Sequence, residues 1–254
     1  MKMSEQRTVL VTGASRGLGA VIAKQFGAKG YRVVVNYFRS EKKALQVVEE
    51  IGSDRAIAIK ADVRDKQQVE AMIQKAVKQF GPIEVVVNNA LINFEFNPVT
   101  QGKVEELTWE NYQEQFEGTI QSSLNVIQAV LPEMKKVHYG RIINIGTNLF
   151  QNPVVSYHQY TTAKAALIGF TRNMAKELGT YGVTVNMVSG GLLQKTDASA
   201  VTTLKVFDLI AASSALKRVT EPADMAEVVV FIGTEASRGV TGQNIVVDSG
   251  LTMN

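Results

Sequence analysis

Residues 8–20 read TVLVTGASRGLGA, and the reading of the fold turns on this stretch. Thr8 to Thr12 form a short β-branched and apolar run, the composition of a strand. Gly13, Gly17 and Gly19 follow, and Leu18, Ile22 and Phe26 recur at a spacing of four, which marks one face of a helix. Gly30 then stops that helix. Strand, glycine turn and helix in this order set the free N–H groups of a helix N-terminus beside backbone that a ligand can approach closely. A pyrophosphate needs such a cradle. The spacing is Gly-x-x-x-Gly-x-Gly, not the more familiar Gly-x-Gly-x-x-Gly. Glycines at strand–helix junctions are also plain punctuation, so the rest of the chain has to supply the context.

That context is a repeating alternation. Short β-branched runs recur at 8–12, 32–36, 56–60, 84–88, 141–145, 183–188 and 244–248. Most are continuously apolar, as expected of parallel strands buried on both faces. Helix-period segments lie between them; Val69, Met72, Ile73, Ala76, Val77 and Phe80 share one face before Gly81-Pro82 ends it. The expected fold class is α/β: a Rossmann-type, doubly wound parallel sheet of about seven strands with helices on both faces. Without a low-complexity linker, residues 1–254 read as one dinucleotide-binding domain. Two segments break the rhythm, 91–107 and 189–221, each after a strand C-terminal end, where ligands sit in open α/β sheets. The second, carrying Leu192, Leu193, Val206, Phe207 and Ile210, is expected to close as a lid over an apolar substrate.

Composition removes other classes. The chain has no cysteine and two histidines, which argues against a disulfide framework and a Cys- or His-rich metal centre. A net charge of +3 comes from Lys and Arg interleaved with Glu and Asp, the pattern of solvated helix faces rather than a nucleic-acid surface. The absence of a long apolar run argues against a membrane span or secretory signal, and a cytoplasmic protein is expected.

An acid holding the adenosine ribose is expected roughly 20 residues beyond the glycine turn. That place reads Asn36-Tyr37-Phe38-Arg39-Ser40, with no carboxylate before Glu41. A carboxylate would repel a 2′-phosphate, whereas Arg16 and Arg39 suit its oxygens, so NADP(H) is expected over NAD(H). Further along, YHQYTTAK at 157–164 places Tyr160 four residues before Lys164 on a helical pattern, one above the other. An ammonium beside a phenol lowers its pKa and tunes it as a general acid for a carbonyl oxygen.

With TGASRGLG, the NNA of 88–90, YTTAK and the closing VTGQNIVVDSG in this order, the chain resembles the short-chain dehydrogenases/reductases over residues 7–250, and within them the 3-oxoacyl-[acyl carrier protein] reductase group. The resemblance implies that Tyr160 and Lys164 carry the chemistry. It implies that Gly13, Ser15, Arg16, Gly17, Leu18, Gly19, Asn36, Arg39, Asp62, Val63, Asn89, Ala90 and Thr196 hold the cofactor, with Asn88 in the same turn. Tyr157, Leu192 and Leu193 would face the substrate. The family's catalytic serine falls on Thr147, whose hydroxyl can also donate to a carbonyl oxygen. Its helix asparagine falls on Thr119 and is absent, Leu91 replaces a glycine, and Gly190-Gly191 replaces Pro-Gly. The implied function is reduction of a carbonyl, such as a 3-oxoacyl thioester on acyl carrier protein, by a homotetramer. Lys135, Lys136 and Arg172 lie where that group docks its carrier. The replaced helpers leave open a degenerate relative that binds NADP(H) as a sensor or structural subunit.

Overall fold

A computed structural model describes residues 6–94, 96–97, 100–194, 196, 199 and 202–253. Seven strands pair in the order β3-β2-β1-β4-β5-β6-β7. They are β1 (Thr8–Val11), β2 (Arg32–Tyr37), β3 (Ala56–Lys60), β4 (Ile83–Asn88), β5 (Gly140–Thr147), β6 (Val183–Gly190) and β7 (Asn244–Val247). Every pairing is parallel. All seven expected strands are present. β5 and β6 run further than their apolar cores because they stay in register to their last residues, Thr147 opposite Gly190.

Alternation along each strand divides the core. Val9, Val11, Val33 and Val35 pack with Ile22 and Phe26 of α1 (Gly17–Ala28), with Val47 of α2 (Glu41–Ile51) and, at the far end of the chain, with Val229 of α8 (Pro222–Ile232). Leu10, Val34 and Val86 point the other way, against Met72 of α3 (Lys66–Phe80), Ile127 of α5 (Ser122–Val137) and Leu178 of α6 (His158–Leu178). The α3 helix starts where the Asp65 carboxylate accepts the Gln67 and Gln68 N–H groups, and it stops at Gly81, as its sequence predicts. Ahead of α5, α4 (Trp109–Phe116) passes through a π-helical turn at Glu117–Gln121. The 189–221 segment contributes α7 (Leu204–Ser213), which buries none of its residues.

Strand order reverses between β1 and β4, so the chain leaves these neighbours toward opposite faces and opens a crevice above their C-terminal ends. At the other side of the sheet, Asn186 of β6 is fully buried. Its amide donates to the Val240 carbonyl at 2.8 Å and accepts the Gln243 N–H at 3.1 Å, pinning the approach to β7. Asn186→Leu strands both groups in the core and is expected to lower stability by about 1–3 kcal/mol, read from denaturant unfolding.

Candidate active site

The glycine turn is built by close approach. Gly13 has a φ of +62°, and a Cβ there would lie 2.9 Å from the Ala90 Cα. Gly17, with φ +56°, would point a Cβ into open space, whereas one on Gly19 would lie 2.6 Å from the Gly13 carbonyl oxygen. Helix α1 has neither a capping side chain nor an acidic residue in its first turn. Its N-terminal N–H groups therefore suit an anion, and the turn fits a pyrophosphate. Asn36, expected at the cofactor, instead shapes the turn: its buried amide accepts the Gly13 N–H at 3.1 Å and donates to backbone carbonyls, Ala61 at 3.1 Å among them.

Cations gather between the first turn of α1 and α2. Arg16, Lys43 and Lys24, the last paired with Glu50, line a cavity of about 300 Å³ with Ser15, Gly17 and Thr196. Glu41, the first carboxylate after β2, accepts the Tyr37 hydroxyl at 2.9 Å. Asp62 is held in a two-pronged pair by Arg64, at 3.1 and 2.7 Å, and these hydrogen bonds keep its carboxyl below the usual range, with Arg39 adding a longer-range pull. Asn125 of α5 donates to the Val63 and Arg64 carbonyls at 3.1 and 3.0 Å and so fixes the Asp62–Val63 corner. It is a supporting residue, and Thr119 stands in the π-turn ahead of it. Thr119, Ser122 and Ser123 line a polar cavity of about 10 Å³ beside Asn88 and Lys164, the size of one water.

Tyr160, Lys164 and Thr147 come together, all buried. Thr147 ends β5, its hydroxyl accepts the Leu149 N–H at 3.3 Å, and it lies close enough to the Tyr160 phenol to favour the ionised form. The Lys164 ammonium donates to the Ile145 carbonyl at 2.7 Å and stands 5.9 Å from the centre of the Tyr160 ring. The pKa relation expected from sequence is reversed. Burial pushes Tyr160 up to about 12, against a lowering by Thr147, and pushes Lys164 down to about 8. An aromatic cover adds to the burial of Tyr160. Phe94 stacks on Tyr160 with ring centres 4.7 Å apart and planes 23° off parallel, and Phe96 meets it edge-on at 5.2 Å. Tyr157, expected at the substrate wall, backs both phenylalanines.

Other expectations resolve differently. Leu193 packs against the sheet core and bridges to Thr220, so it supports the wall rather than lining it; Leu192 is half-buried. Leu91 is exposed. A Cβ on Gly191 would lie 3.0 Å from the Asn148 amide nitrogen, which donates to Asp248 at 2.9 Å, so a side chain there would crowd that hydrogen bond. Lys136 pairs with Glu133, Lys135 lies over the Tyr181 ring, and both sit at the end of α5 that leads into the start of β5, away from the crevice. Sequence reasoning missed Thr12, Lys43, Phe94, Phe96 and the role of Asn125. The polar residue before Gly13 was the one local signal, for Thr12. Among the described residues no cluster of three or more His, Asp or Glu side chains could hold a metal ion, and no helix is long and apolar enough to cross a membrane.

A glycine turn at the switch point of a parallel sheet, with a buried Tyr–Lys pair and a hydroxyl at the next strand end, defines a nucleotide-dependent oxidoreductase architecture. The chain belongs to the short-chain dehydrogenase/reductase family: residues 13–252 match the family model described as Enoyl-(Acyl carrier protein) reductase. It is 36% identical to the 3-oxoacyl-[acyl-carrier-protein] reductase FabG of Staphylococcus aureus over the full length of both chains. It is 34% identical to the 3-oxoacyl-[acyl-carrier-protein] reductase of Synechocystis, over 97% of each. Among solved structures it resembles a blue fluorescent protein from a metagenomic library in complex with NADPH, at a TM-score of 0.84 and 32% identity, covering 97% of this chain and 98% of that one. A putative gluconate dehydrogenase from Agrobacterium tumefaciens superposes at a TM-score of 0.87 with 28% identity, covering 96% and 95%.

Because the folded chain holds the Lys164 proton less tightly than the unfolded chain does, wild-type stability should rise as pH climbs from 8 toward 10. Lys164→Met removes that slope. Unfolding free energies of the two, measured across this window without cofactor, should diverge in the wild type's favour; parallel profiles would contradict the burial of the ammonium.

Proposed function

We propose that the chain is an NADPH-dependent carbonyl reductase with Tyr160 as its proton donor. The observation that carries this reading is the convergence of Tyr160, Thr147 and Lys164 at the strand ends beside the glycine turn. The turn, the uncapped α1 N-terminus and the Arg16, Lys43 and Arg39 cations suit NADP(H), and one structural relative is described in complex with NADPH. When bound, the reduced nicotinamide supplies the hydride. Thr147 donates a hydrogen bond to the carbonyl oxygen and orients it. Tyr160, fully protonated at neutral pH with its pKa near 12, holds its proton until an alkoxide, a stronger base than a phenolate, forms within reach. Lys164, on the same helix face, stabilises the phenolate left behind.

The names of the curated relatives support a 3-oxoacyl thioester on acyl carrier protein as the substrate class, and the family resemblance supports a cytoplasmic homotetramer. In this reading residues 1–254 form one domain, and the 189–221 segment, whose α7 fully buries none of its residues, folds down as the lid. A second reading, a nucleotide-binding sensor without efficient turnover, draws on the aromatic cover over Tyr160.

Steady-state NADPH oxidation with a ketone panel separates the two. Tyr160→Phe should lower kcat/KM by about 10²–10⁴-fold while NADPH binding, followed by fluorescence titration, stays within about twofold. Thr147→Ala should cost about 10²-fold and Thr147→Ser should restore most of it. Cofactor binding without turnover on any carbonyl would favour the sensor.

A further inference from the structure

We propose that Phe94, Phe96 and Tyr157 narrow the substrate class: the group carried next to the reacting carbonyl, the acyl group where the substrate is a 3-oxoacyl thioester, is a flat aromatic or conjugated ring. This rests on the carbonyl-reductase reading and goes beyond it, because neither the pairing of Tyr160 with Lys164 nor the glycine turn says what flanks the carbonyl.

The Tyr160 ring is covered on its face by Phe94, 4.7 Å away, and at its edge by Phe96, 5.2 Å away. The two phenylalanines also meet each other edge-on at 5.0 Å, and Tyr157 closes the group at 5.3 Å from Phe94 and 5.8 Å from Phe96. Both phenylalanines stand in the irregular segment after β4, held by no helix or strand, whereas the two tyrosines are fixed at the start of α6. Among the described residues the charged group at these four rings is the Lys164 ammonium, 5.9 Å from the centre of the Tyr160 ring. A carbonyl presented to the Tyr160 hydroxyl must bring its substituent in among these rings, and the face of Tyr160 is already taken.

The consequence is an exchange. A substrate that reaches Tyr160 displaces the Phe94 ring, and the offset stack it breaks favours binding beyond the burial of apolar area. A straight or saturated substituent recovers the burial and not the stack. A flat ring recovers both, because it can lie against Tyr160 or slide between it and Phe94. The difference predicts about 3- to 10-fold tighter binding for a ring that is flat over one of similar size that is not. The bias runs against simple hydrophobicity, since a saturated six-carbon ring carries more apolar hydrogens than a phenyl group.

The test uses the whole chain in a dead-end complex with NADP⁺, where reduction is impossible, and two ketones that differ only in phenyl versus cyclohexyl beside the carbonyl. Calorimetric titration should show the phenyl ketone binding about 3- to 10-fold tighter. Phe94→Leu, which keeps apolar bulk and removes one of the two rings a phenyl group can stack on, should lower the ratio, and Phe96→Leu should reduce it less. Equal or tighter binding of the cyclohexyl ketone, no binding of either, or an unchanged ratio in Phe94→Leu would overturn the proposal. Turnover of the same pair with NADPH is read separately. If neither ketone is reduced although the binding ratio holds, the reductase reading fails and the ring cage stands.

Discussion

The Thr12 hydroxyl ties together the two loops on which this site depends. It donates to the Val87 carbonyl at 3.3 Å and accepts the Asn89 and Ala90 N–H groups at 2.9 and 3.0 Å. Asn89 answers through its amide, which donates to the Thr12 carbonyl at 2.8 Å. These bonds cross the point where strand order reverses, between the end of β1 and the end of β4. The sheet alone would leave the two turns free to splay; the crosslink brings Gly13 against Ala90 so closely that no side chain fits. The shape of the nucleotide cradle and the departure of the loop bearing Phe94 follow from the same few hydrogen bonds.

A second constraint is desolvation. Tyr160, Lys164 and Thr147 are enclosed between the end of β5, α6 and the phenylalanine segment, and the low polarity of that enclosure disfavours both charged forms. The phenol keeps its proton and the ammonium is loosened. A reductase benefits from this state, since its acid should stay protonated until negative charge develops on the substrate oxygen. The closed aromatic cover thus contributes to the raised phenol pKa, and both change when a substrate ring replaces Phe94.

Much of this was legible in the sequence. Seven β-branched runs gave seven strands because strands buried on both faces leave an unmixed apolar signature. The glycine turn, Tyr160 with Lys164 and Thr147 beside them also follow from spacing and resemblance. What stayed hidden depends on partners distant in the chain. Asn36 reads as a ligand contact by position, yet its amide is consumed by backbone groups of two neighbouring turns. Leu193 reads as a pocket residue by its apolar character, yet a short bridge to Thr220 turns it onto the core. The sign of the Tyr160 shift was misjudged because a neighbouring lysine is visible in the sequence, whereas burial by Phe94 and Phe96 is not. Phe94 and Phe96 lie in an aperiodic segment, and nothing local announces that their rings meet a tyrosine more than sixty positions away.

In the proposed reaction Tyr160 delivers its proton as hydride reaches the carbonyl carbon. Isotope effects on kcat/KM test it most directly, with NADPH deuterated at the transferred C4 position and with D₂O as solvent. The account predicts a normal effect from each, with the solvent effect lost in whatever residual activity Tyr160→Phe retains. A substrate reduced with a full deuteride effect and no solvent effect in the wild type, or a solvent effect that survives removal of the phenol hydroxyl, would contradict it.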